Sequence, residues 1–279
     1  MPEGGEKMRD QILSFGLDIV GRVFLRRDRL NGSMKRLLDA FAFAQQRLII
    51  HSGDRKLSAV YVRESDDAPV FLICHGIGEQ VEYWSGVQEL LKAMGVSSLV
   101  FNYSGYGASS GRVSVPHCEE DAIAAYRLLK DHGHRHIFLL GFSLGSGVVL
   151  AVTPTIEVEG VILCQGYSTL REAALAMGFR RWMTHAMPDV WHNLRRLNEI
   201  TTPVLVIHSD GDQLFPIAMA KRVHEASGSR GELIIVSGFA HDGPVYFPAE
   251  VYWRPIVEWA ARMSSRVVAE QLPTEISRR

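Results

Sequence analysis

Cysteine is scarce in this chain, with only Cys74, Cys118 and Cys164 among 279 residues. An odd count closes no disulfide framework, and the spacing supplies no paired zinc ligands. Cys74 and Cys164 lie in apolar, strand-like runs, where a thiol acts as a small buried hydrophobe, so a reducing compartment is expected. An excess of either charge is missing too: 30 Lys and Arg stand against 31 Asp and Glu, a formal net charge of −1. No bulk field and no long basic run draws the chain to nucleic acid, so specificity must reside in a site. No apolar run reaches the roughly 18 residues that span a bilayer. The first residues, Met1 to Gln11, lack the charged-then-apolar layout and cleavage site of a signal peptide. The expected location is cytoplasmic. What is present is ordinary for a soluble protein, 47% apolar and 22% charged, and long enough for one large α/β domain.

From residue 46 onward, short apolar runs alternate with helical patterns. Residues 46–52 and 56–64 read as two strands joined by a Gly53-Asp54 turn. Residues 69–75 form a nearly continuous apolar run, as in a strand buried on both faces. A helix over 80–94 and a strand over 97–103 follow. Next come a helix over 119–132, a strand over 136–142, a small-residue helix over 144–152 and a strand over 160–166. Strands over 203–209 and 232–238 continue the pattern, and an amphipathic helix from Val251 closes it. Alternation of this kind predicts an α/β fold with a mostly parallel central sheet and helices on both faces.

Two segments break the alternation. Residues 1–45 carry apolar residues at helical spacing, interrupted at Asn31-Gly32 and resumed after Ser33 as an N-cap, the pattern of an N-terminal helical hairpin. Packing of this hairpin on the domain or on a second subunit is the expectation. Arg22, Arg26, Arg27 and Arg29 beside its apolar stripe also fit a membrane-surface contact. Residues 167–202 sit where a short crossover helix would suffice. Met177, Phe179, Trp182, Met183, Met187, Pro188 and Trp191 crowd this stretch, which marks a small helical cap over an apolar pocket. The expected organisation is a core of 46–166 and 203–264, the cap at 167–202, and a tail at 265–279.

The strongest chemical signal is Gly141-Phe142-Ser143-Leu144-Gly145. It directly follows a buried strand and directly precedes a helix, the setting in which Gly-x-Ser-x-Gly makes a nucleophile elbow. So sharp a turn forces the serine into strained backbone angles, and side chains two positions away would collide. Glycines remove that collision and leave the hydroxyl at a helix N-terminus, where developing negative charge is favoured. A serine needs a histidine base oriented by a carboxylate. The chain offers Asp212 after one strand and His241 after the next, in the order Ser, Asp, His, at the strand ends where open sheets gather catalytic groups. Asp210 is the alternative acid. Asp212 is preferred because Leu214, Phe215 and Pro216 anchor its loop, whereas Asp210 reads as a turn former. Oxyanion donors are expected from the Leu144 amide and from Ile77, between Gly76 and Gly78. Phe142, Met177, Trp182, Met183 and Phe215 are the expected substrate-binding side chains.

Other features point elsewhere only weakly. His132, His134 and His136 straddle a helix end and a strand start, so they do not share a face for a metal. Gly76-Ile77-Gly78 lacks the third glycine of a dinucleotide fingerprint, so no cofactor is implied.

Taken together, the His75-Gly76 pair, Asn102-Tyr103-Ser104-Gly105-Tyr106-Gly107-x-Ser109, the Gly141 to Ser146 elbow, and the Asp212 and His241 loops resemble the α/β-hydrolase superfamily over about residues 46–264. The chain is most similar to its small-capped esterase- and thioesterase-like serine hydrolases. The arginine usual in the second stretch is replaced around Asn102 and Ser104. Phe142 stands where lipase- and C–C-hydrolase-like relatives often carry histidine, and a serine nucleophile departs from dehalogenase chemistry. The resemblance implies hydrolysis of a small carboxylic ester or thioester through an acyl-enzyme. Alternatives are an acyltransferase or peptidase using the same residues, or a binding protein that keeps the fold without turnover.

Overall fold

In the computed structural model, residues 46–187 and 190–271 are described; the expected N-terminal hairpin and the end of the tail lie outside them. Eight strands form one sheet: β1 (Gln46–Ser52), β2 (Arg55–Val62), β3 (Val70–Cys74), β4 (Ser97–Phe101), β5 (Ile137–Phe142), β6 (Gly160–Cys164), β7 (Val204–Ser209) and β8 (Gly231–Val236). Their spatial order is β1-β2-β4-β3-β5-β6-β7-β8. β2 runs antiparallel to β1 and to β4, and every other neighbouring pair is parallel. Cys74 pairs with Gly141, Phe142 with Cys164, and Cys164 with Ile207. The carboxyl ends of the central strands therefore finish side by side.

Because every residue of β3 to β7 is buried, these strands read as unbroken apolar runs, with alternate side chains feeding opposite faces. Val70, Leu72 and Cys74 enter one core, while Phe71 and Ile73 enter the other. The first core is covered by α2 (Val115–Asp131), α3 (Gly145–Val152) and α7 (Ile217–Ser227). The second is covered by α1 (Ser85–Ala93) and α9 (Glu250–Gln271). In α9, Tyr252, Trp253, Ile256, Trp259, Ala260 and Met263 are buried at helical spacing. Each large apolar side chain so covered contributes about 1.5–3 kcal/mol. Between β6 and β7 lie the short helices α4 (Leu170–Ala176), α5 (Arg181–Ala186) and α6 (Asn193–Arg196); α8 (Gly243–Tyr246) follows the loop after β8.

Several boundaries and one element differ from the sequence reading; three have a clear local origin or consequence. α2 starts at Val115 rather than 119, because the Ser114 hydroxyl caps it by accepting from the His117 amide and proline stands in its first turn. α7 was not anticipated as a separate element, although Pro216 and Gly228 bracket it. α9 runs on to Gln271, past the expected core limit at 264.

Candidate active site

The turn from β5 into α3 places Ser143 at φ +50°. An L-residue held there stores about 1–3 kcal/mol of strain and persists only where its surroundings over-determine it. Here the Ser143 amide donates to Cys164 O at 3.0 Å, and the Ser143 carbonyl accepts from the Ser146 amide at 3.0 Å and the Ser146 hydroxyl at 2.7 Å. The flanking glycines are required by close approach. A Cβ on Gly145 would lie 1.9 Å from Cys74 O, and one on Gly141 would lie 2.5 Å from Gly145 O. α3 thus presses on the end of β3 with no space for a methyl group.

Asp212 lies in the loop after β7 and His241 in the loop after β8. The His241 Nε2 is 2.9 Å from Ser143 Oγ, and its Nδ1 is 2.8 Å from Asp212 Oδ2. The carboxylate accepts only, so Nδ1 carries the proton and Nε2 is left to accept from the serine hydroxyl. Asp212 Oδ1 accepts from the Leu214 and Phe215 amides, both at 2.8 Å, which fixes the carboxylate plane. Burial pushes the Asp212 carboxyl upward, but the His241 hydrogen bond and charge, with the Phe215 amide, hold it below the usual value. Phe215 meets the His241 ring edge-on at a centroid separation of 4.8 Å. Asp210 points elsewhere, accepting from the Gly238 amide and the Ser237 hydroxyl. Beneath Asp212, the buried His208 Nε2 donates to Phe215 O at 2.9 Å and stays 3.7 Å from Asp212 Oδ2. Burial lowers its pKa, which favours the neutral ring.

The Leu144 amide precedes the first hydrogen-bonded turn of α3, so no helical carbonyl receives it. Ile77 sits in the loop after β3. The neighbouring Gly76 amide donates to Glu79 Oε2 at 2.9 Å, and Trp84 Nε1 donates to the same oxygen at 3.0 Å. With Gly76 committed to Glu79, the next amide along the loop is that of Ile77. His75 is buried against Tyr103 and Tyr106 with Nδ1 2.8 Å from Gly76 O, and burial lowers its pKa to about 4. It shapes the loop as a neutral ring.

The expected substrate-binding residues disperse. Phe142 is fully buried, edge-on to Trp84 and under His241, and so packs beneath the site rather than lining a pocket. Phe215 is buried against His241, and Met177 is half-buried. Trp182 and Met183 turn to solvent, 68% and 38% exposed; among the described side chains of α5 only Thr184 is buried. A groove of about 610 Å³ between β1 and α2, lined by residues including Ile50, Ala124 and Leu128, holds none of the predicted site residues.

Sequence reasoning missed several supporting side chains. Gln165, buried at φ +48°, accepts from the Ser209 amide at 2.8 Å and donates to Ala240 O at 3.5 Å, joining the two loops that carry Asp212 and His241. Asn193 in the insert donates to Ser146 Oγ and Tyr167 O. Trp191 is buried at φ +46° and donates to Glu119 Oε1 at 2.9 Å. Arg55 of β2 donates from Nε to Ser104 Oγ and from its terminal nitrogen to Ser52, Glu120 and Asp121, while the Ser104 amide donates to Asp121. Arg55 thus ties the 102–109 stretch to β2 and α2.

Residues 69–175 match the family model described as the α/β-hydrolase fold. An uncharacterised protein of Mycobacterium tuberculosis strain H37Rv is 26% identical over 179 residues, covering 63% of this chain and 64% of that protein, so the match spans just under two thirds of this relative's length. Among solved structures, an α-β hydrolase from Vibrio vulnificus aligns with a TM-score of 0.71 at 18% identity, covering 91% of this chain and 93% of that one. A Pyrococcus furiosus esterase aligns with a TM-score of 0.66 at 19% identity, covering 81% and 93%. The eight-stranded sheet, the strand order and these matches agree on the α/β-hydrolase fold.

Proposed function

We propose that this protein is a serine hydrolase that cleaves a carboxylic ester or thioester through an acyl-enzyme. The observation that carries the reading is the continuous line from Ser143 Oγ to His241 Nε2, 2.9 Å, and from His241 Nδ1 to Asp212 Oδ2, 2.8 Å. Ser143 attacks the carbonyl carbon and gives its proton to His241 Nε2. Asp212 stabilises the imidazolium and fixes its tautomer, without itself taking the proton. The Leu144 and Ile77 amides receive the oxyanion; one such donor is worth about 10²- to 10³-fold in turnover. Collapse expels the alcohol or thiol, protonated by His241. A water deprotonated by the same nitrogen then attacks the acyl carbonyl and frees the acid and Ser143. No cofactor enters the scheme.

An ester substrate is supported by likeness to the Pyrococcus esterase. Residues 167–202 are read as a small cap, with Met177 and Phe215 as candidate acyl contacts, which favours short or medium acyl chains. A fluorophosphonate probe tests the reading. Wild type is expected to label at Ser143 by peptide mass analysis, while Ser143→Ala takes no label. A graded panel of acyl esters and thioesters, run with and without a competing alcohol, then separates hydrolysis from acyl transfer. Labelling at a different serine would defeat the assignment.

A further inference from the structure

Residues 173–187 have an unusual composition: Leu175, Met177, Phe179, Trp182, Met183 and Met187, with Arg180, Arg181 and His185, and no Asp or Glu. The structure turns much of this outward. Trp182 is 68% exposed, Leu175 41% and Met183 38%, with Arg180 and Arg181 exposed beside them. Two acids flank the stretch in the chain: Glu172, which is already engaged by Arg222 and Ser168, and Asp189, which lies outside the described residues. Among the described residues no carboxylate pairs with Arg180 or Arg181, although the whole chain carries a net charge of −1. The face is therefore a local positive, apolar surface on a nearly neutral protein.

Indole rings favour the headgroup level of a bilayer, and guanidinium groups are drawn to phosphate oxygens. Protein interfaces also gather Trp, Met and Arg, but surround them with a polar, hydrogen-bonding rim. This face offers protruding apolar side chains and positive charge, with its hydroxyl, Thr184, buried. We propose that the outer face of α4 and α5 docks on the surface of an anionic phospholipid membrane. The insert is tied to the helix that follows Ser143, through Asn193 on Ser146 Oγ and through Tyr167 beside Gly147. A membrane held at α5 is thereby coupled to the element that carries the candidate nucleophile, yet binding itself needs no turnover.

The test is co-sedimentation of the full-length protein with vesicles of phosphatidylcholine alone, or of phosphatidylcholine with one third phosphatidylglycerol. Wild type and Ser143→Ala are expected to bind the anionic vesicles alike, to ignore the neutral ones, and to be released as salt rises. Replacing Trp182 and Met183 together by serine should cut partitioning about tenfold, and Arg180→Gln with Arg181→Gln by roughly 10- to 30-fold. All four positions are exposed, and thermal unfolding checks that each variant remains folded; if the serine pair unfolds, the glutamine pair decides. No binding by wild type, equal binding to neutral vesicles, or binding that survives both pairs would overturn the proposal. So would loss on Arg26→Gln with Arg27→Gln instead, or a change of oligomeric state in the Trp182 variant. A Ser143 that fails to label while binding persists would refute only the catalytic reading.

Discussion

Gly145→Ala adds one methyl group, and the structure says where it goes. The new Cβ would stand 1.9 Å from the Cys74 carbonyl oxygen, against the 3.4 Å at which ordinary contact begins, so α3 and the end of β3 must part by about 1.5 Å. Both are backbone, and β3 is hydrogen-bonded on each side to β4 and β5, so no flexible side chain can yield. Overpacking of this kind costs about 1–3 kcal/mol, and a clash with main chain belongs at the upper end. For a chain of this size, 3 kcal/mol lowers Tm by roughly 6–12 °C. The shift also moves Ser143 relative to His241, and a misplacement of about 1 Å costs about 10²-fold in rate. Gly133→Ala is the control: its φ is also positive, +84°, but nothing lies within 4 Å of the added Cβ. It should lose stability through backbone strain alone, about 1–2 kcal/mol, and keep its turnover. The assay pairs Tm by calorimetry with kcat/KM on a soluble ester. Wild-type Tm and kcat/KM in Gly145→Ala would refute the argument that α3 is pinned on β3 by this glycine.

Asp212→Asn should lower turnover by about 10⁴-fold, as loss of the orienting carboxylate does in serine proteases, whereas Asp210→Asn, which removes only loop contacts to Ser237 and Gly238, should stay within about tenfold of wild type; equal losses would undo the distinction between the acids. Acid stability should reflect His75: with its pKa lowered to about 4, the unfolded chain takes up a proton below about pH 6.5 that the native state refuses, so stability is fully present above that value and declines as pH falls toward 4, by about 3 kcal/mol. Denaturant midpoints measured across that window should therefore fall less steeply in His75→Phe than in wild type. Arg55→Ala leaves the buried Asp121 without its guanidinium and should destabilise by about 3–5 kcal/mol, with Arg55→Lys restoring only part because the fork to Ser104 is lost; a loss under 1 kcal/mol in denaturant unfolding would count against this network. Trp191→Phe keeps the buried ring but frees Glu119, whose carboxyl is already pushed up by burial, and a loss of about 1–3 kcal/mol is expected in the same assay.

The fold was legible because its grammar is local. Continuous apolar runs marked β3 to β7 as strands covered on both faces, and the alternation with helical patterns implied the parallel sheet. The elbow was legible for the same reason, since a strand, a tight turn and a helix fit within a dozen residues. Even the choice between two acids had a local basis. The apolar neighbours that favoured Asp212 are the residues whose amides, Leu214 and Phe215, hold its Oδ1.

What sequence could not supply is direction within the insert and contact across long separations. Composition marked residues 167–202 as rich in large apolar side chains, but a stretch of short helices has too few turns to reveal which face is inward. Trp191 is locked inside by a bond to Glu119, 72 positions away, while Trp182 faces out. Gln165 reaches Ala240 across 75 positions, and Arg55 reaches Asp121 across 66. These unread residues have a common role. Ser143, Gln165 and Trp191, the non-glycine residues at positive φ among those described, all lie at or beside the elbow or the insert. A backbone held away from its preferred angles must be restrained by something other than its own local propensity. For Ser143 the restraint comes from Cys164 on the neighbouring strand; for Gln165 it comes from β7 and the His241 loop; for Trp191 it comes from α2. At Ser143 the strain is local and announced by glycines, whereas its restraint is distant, so there the sequence reveals the strained turn before it reveals what holds it.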